Sequence, residues 1–217
     1  MYTLKDFDAD VDKIYRIEAF SRLWGDYGNI LANGMVGHRE NDTLQLMRTG
    51  PYIPPISFPG VSEIVVTEEM KEVMQNAEFK GIEFKAVEKK RIVKLEWEKW
   101  DKNAYEPEIL PKEGSPANYI LGKRHSEEVS KRLGNLWEVV YSEGAQVSKI
   151  KTGSNFWEED FHYHPNSWNG ADIFSASGYG FILCSHRAKQ WLESLYQSYV
   201  SISSFPVLGA NPFRFWE

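Results

Sequence analysis

One order of features occurs twice in the chain, from Gly60 to Val87 and again from Gly180 to Val207: a short apolar run, a hydroxyl residue, an amphipathic stretch, and a second apolar run ending in valine. Ile64-Val65-Val66-Thr67 lines up with Ile182-Leu183-Cys184-Ser185. Thr67 and Ser185 suit helix N-caps, because a hydroxyl there accepts one of the backbone N–H bonds that a first helical turn leaves unpaired. Beyond them Met70, Val73, Met74 and Ala77 keep the i, i+3, i+4, i+7 spacing of one helical face, and Ala188, Trp191, Leu192 and Leu195 keep the same offsets. Glu68, Glu69, Lys71 and Glu72 fill the other side of the first helix, as Lys189, Gln190 and Glu193 do in the second. With a small length difference, Ile82, Ala86 and Val87 then match Ile202, Pro206 and Val207, although Phe84 faces only Ser204.

Each copy predicts a strand-helix-strand unit. Packing any helix on a sheet demands the same periodicity, so coincidence is the competing explanation. Two copies are too few for a solenoid, whose repeats need neighbours on both sides. The expected fold is one pseudo-duplicated domain over residues 1–217, of α+β class with α/β-like units, a mixed sheet and long loops.

A chain of 217 residues is long enough to bury a core. Aromatic residues at 14% argue for a folded chain even though 26% of residues are charged. The start, Met1-Tyr2-Thr3-Leu4-Lys5 and then acidic through Asp12, lacks the basic and apolar regions of a secretory signal, and no apolar run reaches the length of a membrane span. Cys184 stands alone and forms no internal disulfide. Together these predict a cytoplasmic protein with no membrane partner. The net charge of −6 argues against a nucleic-acid partner. Lys89-Lys90-Arg91, the one concentrated positive run, reads as a solvated strand edge. An acidic excess would steer a basic partner toward the protein by its long-range field.

Between these landmarks, Lys13 to Phe20 reads as a strand or a short helix, and its periodicity does not decide which. Gly25 to Gly60 reads as loop-rich, since Pro51, Pro54, Pro55 and Pro59 forbid a continuous helix. Ile92 to Trp100 alternates, with Val93, Leu95 and Trp97 apolar, as a half-buried strand does. Tyr119-Ile120-Leu121 and Leu136 to Val140 are further strand candidates, and Ser126 starts a short helix that ends near Gly134. Gly153 to Gly170 reads as an aromatic, polar loop.

That loop holds the residues closest to a chemical motif. In an extended chain Asp160, His162 and His164 project from one face, which gives two imidazoles and a carboxylate as candidate metal ligands. Against this, there is no fourth ligand at a familiar spacing, no H-E-x-x-H and no paired C-x-x-C. The neighbours Trp157, Phe161, Tyr163 and Trp168 offer the other reading, two histidines satisfied within an aromatic surface. Cys184-Ser185-His186 is better explained by the N-cap than as a nucleophile with its base, which meet through the fold and not by adjacency. Gly178-Tyr179-Gly180 completes no phosphate-binding fingerprint, and Asp101, Glu106, Glu108 and Glu113 are scattered without an acid-base pairing. No cofactor is implied.

Asp172-Ile173-Phe174, then Phe181 to Ser185, a helix with Ala188-Lys189 and Leu192-Glu193, and a strand ending Phe205-Pro206-Val207 together resemble the C-terminal signature of bacterial immunity proteins, the antidotes of polymorphic toxin systems. Phe58-Pro59-Gly60, Val65 to Met70 and Gly81 to Phe84 resemble the same unit. One related branch carries paired cysteine motifs that this chain lacks, so no zinc role transfers. The resemblance implies a non-enzymatic binder that sequesters a cognate toxin. Such a role needs aromatic anchors, because buried Trp and Tyr dominate interface energies. Trp157, Tyr163 and Trp168 are the candidate anchors, with core packing as the competing explanation. The alternatives are a metal-dependent enzyme using Asp160, His162 and His164, and a structural or regulatory domain; oligomeric state is not readable from the sequence.

Overall fold

A computed structural model of the chain describes residues 13–19, 36–49, 53–60, 62–94, 123–149, 161–196 and 199–206. In chain order the first elements are β1 (Ile14–Ala19), β2 (Val36–Glu40), β3 (Thr43–Thr49), β4 (Ile56–Ser57), β5 (Val65–Thr67), α1 (Glu68–Asn76), β6 (Ile82–Ala86) and β7 (Glu88–Val93). Then come α2 (Glu127–Arg132), β8 (Leu136–Tyr141), β9 (Glu143–Ala145), β10 (Val147–Lys149) and β11 (Phe161–Tyr163). A 3₁₀ turn at Pro165–Ser167 leads to β12 (Ile173–Ala176), β13 (Tyr179–Ser185), α3 (His186–Tyr196) and β14 (Val200–Ser204). The class is α+β.

The strands form a five-stranded sheet in the order β9-β12-β13-β1-β14, a four-stranded sheet β4-β5-β8-β6, a three-stranded sheet β2-β3-β7 and the ribbon β10-β11. Among the described strands only β9 with β12 and β3 with β7 pair in parallel. Two crossovers organise the larger sheets. α1 joins β5 to β6, and β8 lies between them, antiparallel to both. α3 joins β13 to β14, and β1 lies between them in the same way. So β1, which precedes the first crossover in the chain, sits in the sheet of the second, and β8, which precedes the second, sits in the sheet of the first.

Both crossovers use one register. Val65, Val66 and Thr67 face Glu138, Trp137 and Leu136, while Leu183, Cys184 and Ser185 face Arg16, Tyr15 and Ile14. On the other side Ile82, Phe84 and Ala86 face Tyr141, Val139 and Trp137, while Val200, Ile202 and Ser204 face Ala19, Ile17 and Tyr15. Ile82 therefore corresponds to Val200, Phe84 to Ile202 and Ala86 to Ser204. The length difference expected from the apolar tails is not needed, because those tails align by strand register and not by their final valines.

Local chemistry starts both helices as the sequence suggests. Thr67 Oγ1 accepts the Met70 N–H at 3.3 Å, and Ser185 Oγ accepts that of Ala188 at 3.2 Å. Each such cap contributes about 1 kcal/mol. The middle strands are held alike from the helices: Trp137 Nε1 donates to Glu68 at 2.8 Å with Lys71 Nζ 3.4 Å from its ring centre. Tyr15 Oη meets His186 Nδ1 at 3.1 Å with Lys189 Nζ 5.1 Å from its ring centre.

One apolar cluster collects both helix-covered faces, with Ile64, Val66, Met70, Met74 and Val139 from the first crossover and Ile17, Ile182, Cys184, Ala188 and Leu192 from the second. The opposite face of the five-stranded sheet packs Ile14, Phe174 and Leu183 against Phe161 and Tyr163 of the ribbon. The opposite face of the four-stranded sheet packs Val65 and Leu136 against Leu44 and Leu46 of β3. Alternate residues of β1, β5, β8 and β13 thus enter different cores, which is the period-two rule of a strand.

Several segments differ from expectation. Within the stretch expected to be loop-rich, β2 and β3 form a hairpin closed by Asn41 and Asp42 at φ 48° and 64°. Positive φ at both central residues defines the type I′ turn, which Asn and Asp tolerate. Lys13 to Phe20 resolves in favour of a strand at its described residues. Of the strand expected at Ile92 to Trp100, Ile92 and Val93 lie in β7, which starts earlier, at Glu88, and puts Lys89-Lys90-Arg91 on the edge strand of its sheet. Residues 95–100 and Tyr119-Ile120-Leu121 lie outside the described residues.

The two crossovers meet where the chain after α1 lies on the approach to β12. Gly81 has φ 80°, and a Cβ there would stand 2.6 Å from Ala171 Cβ. Gly170 is also left-handed at φ 86°, yet a Cβ there meets nothing within 4 Å. Gly170→Ala is therefore expected to cost about 1 kcal/mol, the left-handed penalty alone. Gly81→Ala adds overpacking and should cost about 1–3 kcal/mol more. Urea unfolding of the two variants measures both, and equal midpoints would show that this approach is not tight.

A candidate partner-binding groove

Asp172 is the most constrained charged group at that meeting point, at 4% exposure. Its carboxylate accepts from Ser185 Oγ at 2.7 Å, Arg187 Nε at 3.0 Å and the Lys80 backbone N–H at 2.9 Å, with a further charge-assisted bond from Arg187. The Asp172 N–H donates in turn to the Lys80 carbonyl at 2.9 Å. Arg187 also donates to the carbonyls of Ala77 and Glu78 at 3.1 Å, which caps the end of α1 with a side chain of α3. Burial pushes the Asp172 carboxyl up, but the bonds from Arg187, Lys80 and Ser185 and the guanidinium charge outweigh it and hold it below the usual carboxylate range.

The reactive residue types beside it are committed to structure. Ser185 Oγ bonds Asp172 and caps α3. Cys184 is fully buried, and burial pushes its thiol up, away from the thiolate a nucleophile requires. Gly178 turns the β12–β13 hairpin at φ 75°.

The aromatic stretch is also structural where it is described. Tyr163 is 0% exposed and donates to the Pro165 carbonyl at 2.7 Å, so it is a core residue and not a partner anchor. Its place in β11 turns it into the apolar cluster while His162 points the other way. Trp168 is half-buried, with Nε1 donating to the Ala171 carbonyl at 2.9 Å and its ring 6.5 Å from that of Phe174. Trp157 and Asp160 lie outside the described residues. His164 Nε2 bonds Ser148 Oγ at 2.7 Å, and His162 Nδ1 is buried without a hydrogen-bond partner. Among the described residues no three His, Cys, Asp or Glu side chains gather as metal ligands.

What sequence reasoning missed is a groove of about 570 Å³ between the two large sheets. One wall is β8 from Glu138 to Tyr141 with Lys85 of β6, roofed by Arg39 and Asp42 of the type I′ hairpin. The other is Glu143 with Ser175, Ala176 and Tyr179 of the β12–β13 hairpin. Glu138, with 7% of its side chain exposed, takes a bidentate pair of bonds from Arg39. Lys85 Nζ donates to Asp42 at 2.8 Å, and that bond holds the Asp42 carboxyl below its ordinary range. Tyr141 donates to the Ser62 carbonyl, and burial, with Glu63 and Glu138 nearby, pushes its phenol up so that it remains a donor. With Glu63 included, the carboxylates Asp42, Glu63, Glu138 and Glu143 outnumber the cations Arg39 and Lys85.

This arrangement offers paired charges, hydroxyls and two tyrosine rings, set in advance by backbone and ion pairs. It offers recognition, since each charged wall residue named except Glu143 already has a polar partner. The residues come from five separate stretches of chain, so no local spacing could have revealed them; the one local signal is Asn41-Asp42 between alternating strands. No protein-family model, curated protein sequence or solved structure matches the chain.

Replacing Asp172 by Asn leaves Arg187 and the Lys80 N–H facing a neutral group. The expected loss at neutral pH is roughly 2–4 kcal/mol, below that of a fully buried pair because Arg187 keeps 33% of its side chain exposed. The folded carboxyl titrates below its unfolded value of about 3.9. Its stabilisation is therefore complete above that pH and disappears as pH falls through the lowered folded value. Unfolding free energies of wild type and Asp172→Asn should converge in acid, and a gap that stays constant there would contradict the role given to the carboxylate.

Proposed function

We propose that the chain is a non-enzymatic cytoplasmic binding protein, an immunity protein that neutralises a cognate toxin by direct contact through this groove. The observation that carries the reading is the groove itself, an open concavity lined from both large sheets, in which Arg39 is paired with Glu138 and Lys85 with Asp42 beforehand while Glu143 stands on the facing wall. A preorganised charged surface loses little ordering entropy on binding and discriminates among partners by charge. Its carboxylate excess matches the net charge of −6 and favours a basic segment of the toxin. Tyr141 and Tyr179 provide the amphipathic rings common at interface centres.

The scaffold supports the same reading. We infer that it is an internal duplication, two copies of one strand-helix-strand unit spanning Gly60 to Val87 and Gly180 to Val207, each completed by a strand from the other half. Matching register in both crossovers, matching N-caps, and the paired contacts of Trp137 with Glu68 and Lys71 and of Tyr15 with His186 and Lys189 favour duplication over coincidence. These units are also the segments that resemble immunity proteins.

Co-expression with the product of the adjacent reading frame tests the function. Wild type is expected to rescue growth of a bacterial host from that product and to purify with it at equal stoichiometry. Glu143 is exposed on the groove rim, and Glu143→Lys should weaken the complex by roughly 10-fold, mainly through slower association, while leaving the fold intact. Neither rescue nor complex from wild type would overturn the reading, and a complex indifferent to Glu143→Lys would remove the groove from it.

A further inference from the structure

Among the described residues, four strands of five or more residues lie at a sheet end: β2, β6, β7 and β14. A strand in that position presents unpaired N–H and C=O groups, and natural proteins guard it with charge. β2 carries Arg39 and Glu40, β6 carries Glu83 and Lys85, and β7 carries Glu88 and the run Lys89-Lys90-Arg91. β14 reads Val200-Ser201-Ile202-Ser203-Ser204 and carries none. The contrast is sharpest with β6, its counterpart by register: Glu83-Phe84-Lys85 in one is Ser201-Ile202-Ser203 in the other.

We propose that the edge of β14 with no neighbouring strand among the described residues is a homodimer interface, pairing antiparallel with β14 of a second copy to join two five-stranded sheets. Self-pairing about a twofold axis places each residue near its own kind, so a charged edge repels itself and an uncharged one does not. Centred on Ile202, the pairing sets Ile202 against Ile202, Val200 against Ser204 and Ser201 against Ser203. Every pair keeps the inward and outward alternation of the strand, so the apolar side that packs against α3 continues across the junction while serine hydroxyls meet on the other side. Leu195, at 52% exposure, continues the stripe of Ala188 and Leu192 toward the end of α3 that leads into β14.

Light scattering on a sizing column, run over increasing protein concentration, reads the mass directly. Wild type is expected to show the mass of two chains. Ser203 is exposed, and Ser203→Lys should halve the mass with an unchanged circular-dichroism spectrum. Ser201→Asp provides a second edge charge should the first variant misfold. A wild-type mass of one chain at every concentration would overturn the proposal and leave the edge open to a strand of another protein. A two-chain mass in both folded variants would also overturn it, by placing the contact elsewhere.

Discussion

The buried carboxylate of Asp172 is the constraint on which the arrangement of the two halves depends. A charge at 4% exposure is costly unless every lone pair is answered, and here the answers come from both crossovers: Ser185 and Arg187 from the second, the Lys80 backbone from the first. Arg187 then carries the joint to the carbonyls that end α1. Its guanidinium lies 5.2 Å from the Phe79 ring centre, and Phe79 packs edge-on against Trp191 of α3. A polar joint thus fixes the angle at which a non-directional apolar core closes.

The groove lies between the two large sheets, and its walls are also joined by the chain itself, where β8 runs through Ser142 into β9. The exchange of β1 and β8 between the crossovers adds a second restraint, because neither large sheet can form from one half of the chain. A cleft with prearranged charge suits discrimination by charge.

Local features were legible in the sequence to the extent that their causes are local. Thr67, Ser185 and Ser126 announced helices because an N-cap acts within three residues. The helical stripes of Met70 and Met74 and of Ala188 and Leu192 announced their buried faces. The partner of each strand was not legible, since the periodicity of Ile14 to Ala19 says which residues are buried and nothing about which strand lies beside them. The same limit hid the groove. Tyr163 looked like an interface residue by composition, yet the apolar ribbon core claims it. Arg39, Asp42, Lys85, Glu138 and Glu143 looked like ordinary solvated charges until distant pairing brought them together.

If the joint and the exchanged strands make one body of the two crossovers, they should open together. Native-state hydrogen exchange in rising denaturant measures this amide by amide. The slowest amides of β5 and β8 and those of β13 and β1 should converge on one unfolding free energy, equal to that of global unfolding. Convergence on two distinct free energies, with one large sheet opening while the other stays closed, would contradict the claim that the halves form a single scaffold holding the groove.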